Sequence, residues 1–152
     1  MEVFRIAREK HCRDLSGEGA RLFGGRWNKK GIGLVYTSQQ ASLAALEVLA
    51  HVSSPTLPSG LKLVTIVVPD NVSQEVIEVS QLPSGWRNYP APNLLAEIGT
   101  KWILSQKSLL LKVPSVLIET EKNILINPLH QEINKVKIVL VSDFNFDGRL
   151  IK

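Results

Sequence analysis

Three stretches of the chain place polar side chains on constrained backbone. The first is Gly24-Gly25-Arg26-Trp27-Asn28. Glycines beside an arginine suit an anionic ligand. Backbone N–H groups can line a concave nest, and a guanidinium grips phosphate oxygens through a two-pronged fork that lysine lacks. The same residues also fit a plain surface loop with a solvated arginine, and short glycine motifs do not separate the two readings. The second stretch is Tyr36-Thr37-Ser38, followed by Glu47 inside Ala44-Ala45-Leu46-Glu47-Val48. A carboxylate in so apolar a run either faces solvent from the outer side of a helix or lies near a site where it is paired. His51 follows four residues later on the same helical face. No third ligand at suitable spacing completes a metal site, so His51 reads as a structural or surface residue. The third stretch is Val113-Pro114-Ser115-Val116-Leu117. Pro114 stiffens the chain, and the Ser115 hydroxyl can bond a ligand or the backbone. No Gly-x-Ser-x-Gly elbow surrounds it, which argues against a hydrolase nucleophile. Asn127-Pro128-Leu129-His130 reads as an Asx-type turn. Cys12 carries no flanking motif and reads as a plain thiol.

The elements that must position these residues follow from patterning. Residues 3–6 form a short strand. Residues 10–33 are polar and rich in glycine, and a structureless stretch of that length in a compact domain implies a functional loop. A β-branched and aromatic run predicts a strand over 34–38. Ser38 is then placed to cap a helix over 40–52, whose apolar residues Leu43, Ala44, Leu46, Val48, Leu49 and Val52 form a broad stripe, closed by Pro55 and Pro58. A near-continuous apolar run predicts a buried strand over 61–68. Further strands are predicted over 75–79, 112–119, 123–126 and 135–142, with turn chemistry at Leu82-Pro83-Ser84-Gly85-Trp86 and a second helix over 93–108. Helices and strands alternate without a regular βαβ repeat, which predicts an α+β fold.

The chain has 152 residues, which fits one domain spanning 1–152. Hydrophobic residues at 44% and charged residues at 21% are an ordinary globular balance that argues against disorder. One cysteine excludes an internal disulfide and any multi-cysteine zinc site. No apolar run approaches the ~20 residues of a membrane span, and the N-terminus does not read as a signal peptide, so a cytoplasmic address is expected. The net charge of +4 comes from scattered cations. A pI of about 9.3 would suit nucleic acid, but there is neither a basic cluster nor a helix-turn-helix pattern.

Taken in order, these segments resemble the RES domain family, named for an arginine, a glutamate and a serine. The resemblance covers nearly the whole chain: Asp14 through Ala20, Gly24-Gly25-Arg26-Trp27-Asn28, Gly31, Val35-Tyr36-Thr37-Ser38, Leu46-Glu47, Leu82-Pro83 with Gly85-Trp86, Ile98-Gly99 with Trp102, Val113-Pro114-Ser115, Asn123 to Pro128, His130, and Phe146-Asp147-Gly148-Arg149-Leu150. Two places depart from the family's frequent prolines. Ile32-Gly33 follows the Gly-rich loop, and His130-Gln131 follows the Asn-Pro turn.

The resemblance implies a bacterial toxin of a type II toxin–antitoxin pair, with a compact fold related to ADP-ribosyltransferase toxins. It implies consumption of NAD⁺ at the nicotinamide–ribose bond by phosphorolysis or hydrolysis, or alternatively transfer of ADP-ribose to a protein. The implied partner is an Xre-like antitoxin that blocks the active site. NAD⁺ is a substrate here. No cofactor, metal or prosthetic group is implied, and inorganic phosphate is a potential co-substrate. The family's arginine, tyrosine, glutamate and serine map onto Arg26, Tyr36, Glu47 and Ser115.

On that mapping, Arg26 with Gly25, Trp27 and Asn28 suits the pyrophosphate or a second anion. Glu47 steadies an oxocarbenium-like ribose. Tyr36 offers an aromatic face to the cationic nicotinamide, and Ser115 offers a hydroxyl to ribose, phosphate or carboxamide. A homodimer is expected, with Leu109-Leu110-Leu111 and Trp86 available to its interface or to the core. A non-catalytic nucleic-acid-binding module is the reading from a different class.

Overall fold

The computed structural model describes residues 1–53 and 55–151. Seven strands make one sheet: β1 (Glu2–Arg8), β2 (Val35–Ser38), β3 (Leu61–Val67), β4 (Gln74–Val76), β5 (Leu110–Pro114), β6 (Lys122–Ile126) and β7 (Lys137–Phe144). Their order is β4-β5-β6-β2-β1-β3-β7. Only β4 and β5 run parallel; every other pair is antiparallel. Three α-helices among the described residues complete the domain: α1 (Glu18–Phe23), α2 (Ala41–Ala50) and α3 (Asn93–Ser105). The mixed sheet with few helices is the α+β architecture that the patterning predicts. No helix among the described residues is long and apolar enough to cross a membrane.

Side-chain alternation sorts the strands onto two faces. On one face Val3, Val35, Val64, Ile66, Leu110, Ile124 and Ile126 bury against Cys12, Val72 and Val136. On the other, Leu111, Val113 and Leu125 pack under Leu95, Trp102 and Ile103 of α3, while Ile6 and Leu61 pack under Ala44 of α2. The two helices therefore cover different parts of the same sheet face, α3 over β5 and β6 and α2 over β1 and the neighbouring β2. Trp102 is buried, and its indole N–H donates to Ser108 Oγ at 2.8 Å. Such a residue contributes its full apolar area without an orphaned donor.

Several sequence expectations need correction. The stretch over 10–33 is not one open loop: it contains α1, bracketed by Gly17 at φ 73° and Gly24 at φ 70°. A six-residue helix is too short for a periodic stripe, so only its two glycine boundaries betray it. Ser38 does not cap α2. The N-cap is Gln40, without a side-chain bond, and the Ser38 hydroxyl donates to Asn123 Oδ1 at 2.8 Å. The strand expected over 112–119 is β5, which ends at Pro114, because a turn begins at Ser115. Strand β4 stops at Val76 and is followed by a 3₁₀ turn over Val79–Gln81. Leu109, Leu110, Leu111 and Trp86 are all buried core residues, so a homodimer would have to use another face.

Candidate active site

The Gly-rich segment is a built turn. Gly25 N–H donates to Asn28 O at 3.0 Å, folding Arg26 and Trp27 into its tip. Asn28 is the peg beneath it, 1% exposed. Its Nδ2 donates to Ala20 O at 2.8 Å and Ile32 O at 2.9 Å, which ties α1 to the chain entering β2. Tyr36 rises from β2 to meet the turn. Its hydroxyl donates to Asn28 Oδ1 at 2.6 Å and accepts from Trp27 N–H at 3.0 Å. Burial pushes the Tyr36 phenol above its ordinary value, against the bond from Trp27 and the charge of Arg26. The phenol therefore stays neutral and keeps its O–H for Asn28.

Two glycines are fixed by close approach. A Cβ on Gly25 would lie 2.6 Å from the Tyr36 hydroxyl, and one on Gly99 of α3 would drive into the Trp27 carbonyl. Thr100 Oγ1, one residue on, accepts from Lys29 N–H at 3.0 Å. Helix α3 thus holds the turn from behind.

This turn lines a cleft of about 1060 Å³ together with Tyr36, Glu47, Tyr89 and Asn123. Helix α2, through Ala44, Glu47 and Val48, and the segment before α3, through Arg87, Tyr89 and Ala91, form its sides. Strands β1 and β2 pair at one position, Phe4 opposite Ser38, and Phe4, Ile6, Tyr36 and Thr37 contribute to the wall.

Arg26 is half-buried at the cleft. Its Nη1 donates to Trp86 O at 2.7 Å and its Nη2 to Asn88 O at 3.3 Å. Desolvation lowers its pKa, opposed by the charge of Glu47. Arg26 and Glu47 therefore feel each other across the cleft, although no ion pair joins them among the described residues. Five N–H donors let one guanidinium fasten the 86–88 turn and still present donors to a ligand.

Glu47 projects from α2. Its Oε1 accepts from Ser115 Oγ at 3.0 Å and from Asn123 Nδ2 at 2.7 Å. No donor among the described residues reaches its Oε2. Ser115 is fully buried and opens the turn after β5. Its Oγ accepts from Leu117 N–H at 3.0 Å and Ile118 N–H at 3.2 Å, so its single proton goes to Glu47. His51 is exposed, with Nδ1 at 2.7 Å from Glu47 O. Asn127 forms the expected Asx turn, its Oδ1 accepting from Leu129 N–H at 3.0 Å.

The structure thus brings Arg26, Tyr36 and Glu47 to one cleft. Gly25 also lines it, whereas Ser115, Asn28 and Trp27 stand differently from the expectation of direct substrate contact. Ser115 meets the Glu47 carboxylate, Asn28 is an internal peg, and Trp27 is 3% exposed in the core with only part of its surface on the cleft wall. Asn123 carried no role in the sequence reading. Its alternation with Ile124 and its place two residues before Leu125, on the same strand face, were the signal available for it.

The arrangement can hold an anion near Arg26 and set a carboxylate oxygen opposite it, in a wall rimmed by exposed Phe23 and Tyr89. Comparison with known proteins adds kinship. A RES domain model matches residues 2–147. The chain is 42% identical over 148 residues to the Prs ADP-ribosylating toxin of Sphingobium sp. (strain YBL2), covering 96% of this chain and 92% of that one. It is 39% identical over 158 residues to Toxin Res of Photorhabdus laumondii subsp. laumondii, covering 100% and 98%. A chain of the crystal structure of the M. tuberculosis MbcT–MbcA toxin–antitoxin complex shares the fold, with a TM-score of 0.77 at 20% identity over 94% of this chain and 83% of that one. A match across almost every residue, with the arginine, glutamate and serine gathered around one cleft, places the chain in the RES domain family.

Proposed function

We propose that this protein is the toxin of a toxin–antitoxin pair and an enzyme that breaks the nicotinamide–ribose bond of NAD⁺. The observation that carries the reading is the Glu47 carboxylate, anchored through one oxygen and open at the other, in the same cleft as Arg26. Nicotinamide in NAD⁺ already bears the positive charge, so it leaves neutral and needs no general acid. Its departure turns the ribose carbon positive, as in glycoside cleavage. A fixed negative charge on Glu47 Oε2 would steady that carbon or hold the ribose hydroxyls. The free donors of Arg26 suit the pyrophosphate. Tyr36 presents its ring from the cleft wall while its hydroxyl is occupied by the turn.

The bond broken is one question and the acceptor is another. Phosphate or water would make the enzyme an NAD⁺ phosphorylase or glycohydrolase. A protein acceptor would make it an ADP-ribosyltransferase, a reading favoured by the 42% identity to a relative named as an ADP-ribosylating toxin. The test is product analysis of NAD⁺ incubated with the protein, with and without phosphate, and with labelled NAD⁺ in lysate. Release of nicotinamide is expected throughout. A phosphorylated ADP-ribose product selects phosphorolysis, a labelled protein band selects transfer, and absence of nicotinamide overturns the reading. An inhibitory antitoxin is the expected partner, and the exposed Phe23 and Tyr89 at the cleft mouth give it apolar surface on which to seat.

A further inference from the structure

We propose that Asn123, oriented by Ser38, is a positioning residue that decides which oxygen of Glu47 faces the substrate. The inference rests on the proposed NAD⁺-cleaving role of Glu47 and adds a polar relay behind it.

Three neighbouring strands bring the relay together. In the sheet, Ser38 of β2 stands opposite Asn123 of β6, and Asn123 stands opposite Val113 of β5. Ser115 lies two residues beyond Val113, and α2 lays Glu47 over this row. Each member has its direction fixed by its chemistry. Ser38, 3% exposed, donates its only hydroxyl proton to Asn123 Oδ1 at 2.8 Å. The Glu47 carboxylate settles which end of the amide is oxygen, since it can only accept, and a flipped amide would turn its own oxygen toward it; the Ser38 hydroxyl then donates to the Oδ1 that is left facing it. The Nδ2 must then point at Glu47, and it does, at 2.7 Å from Oε1. Ser115 reaches the same oxygen from the other side.

Two donors on Oε1 and, among the described residues, none on Oε2 is an asymmetric arrangement. A carboxylate left to itself rotates freely about its last bond. Here the loaded oxygen is pinned to the sheet, and the unloaded one is kept for the ligand. Orientation of this kind acts on the developing charge more than on ground-state binding, so its loss should appear in kcat more than in KM.

The experiment uses the full chain and two independent readings. The first is kinetic: nicotinamide release by N123A, S38A, S38T and the S38A/N123A double variant, each checked for an unchanged melting temperature. We expect N123A to lose about 10–100-fold in kcat, the equivalent of one hydrogen bond to a charged group, with KM for NAD⁺ within about twofold. S38A should lose on the order of fivefold, the equivalent of one ordinary hydrogen bond. S38T, which restores the hydroxyl, should recover the loss, and S38A should add nothing to N123A because its effect passes through Asn123. Independent, multiplying losses, or equal changes in KM and kcat, would overturn the relay.

The second reading needs no turnover. The side-chain amide signals of Asn123, followed by ¹⁵N NMR, should shift in both E47Q and S38A. If they stay put in either variant the relay is wrong, whatever the substrate is. If they shift while no variant or wild-type protein releases nicotinamide, the relay stands and the NAD⁺ reading fails.

Discussion

Two glutamates in this molecule are held by protein donors in opposite ways. Glu132 has both oxygens engaged. Its Oε2 accepts from Ser73 Oγ at 2.7 Å and Ser73 N–H at 3.2 Å, and its Oε1 accepts from Lys135 Nζ at 3.0 Å. Those bonds hold its carboxyl down to about 2 and clamp the turn before β4 to the turn before β7. Glu47 has one oxygen doubly engaged and the other, among the described residues, unengaged in the cleft. A carboxylate whose every oxygen is satisfied is finished as a structural element. One with a fixed anchor and an open oxygen has its remaining capacity aimed at something that is not part of the chain. The comparison separates a clamp from a site without reference to ancestry.

The sharpest way to break this contrast is to exchange each glutamate for glutamine. E47Q keeps an oxygen for Ser115 and Asn123 but loses the charge, so it should lower NAD⁺ turnover by about 10²–10³ with little change in melting temperature. Near-normal nicotinamide release would remove Glu47 from the chemistry. S115A should affect both properties. It removes one of the two donors to Glu47 and leaves the Leu117 and Ile118 N–H groups without their acceptor, at about 1–2 kcal/mol of stability, readable in urea denaturation together with a fall in turnover. R26K should raise KM for NAD⁺ about tenfold, because lysine cannot both fasten the Trp86 and Asn88 carbonyls and offer a fork to an anion. An unchanged KM would reduce Arg26 to a latch for the 86–88 turn.

The smallest effect is expected at the clamp. E132Q should leave turnover intact and lower the melting temperature at neutral pH. The folded carboxyl lies below its ordinary value of 4.5. Its contribution is therefore complete above about that pH and disappears as pH falls toward 2. Melting curves of wild type and E132Q should accordingly converge on acidification. If E132Q were instead the variant that lost turnover, the distinction between the two glutamates would collapse.

Much of the fold is legible in the residues. The apolar runs that become β3 and β6, and the stripe that becomes α3, are long enough for periodicity to speak. Helix α1 is hidden because six residues between two glycines carry no period, and Ser38 is misread because a serine before a helix is a good cap by local rules. Its real partner, Asn123, lies 85 residues away. The same distance hides the role of Ser115, whose hydroxyl looks equally suited to ligand or backbone until Glu47 is seen beside it.

Residue chemistry alone settled the kinds of group present: a guanidinium between glycines, a carboxylate in an apolar helix, a serine after a proline, and their order along a RES domain chain. Only the tertiary structure decided the division of labour among them. Hydrogen bonds form between atoms within about 3 Å, and strands adjacent in a sheet need not be adjacent in sequence. The pairing of β2 with β6 and of β6 with β5 put Ser38, Asn123 and Ser115 behind Glu47, and in doing so turned an expected helix cap, a residue without an assigned role and a candidate ligand contact into the frame that holds one oriented carboxylate.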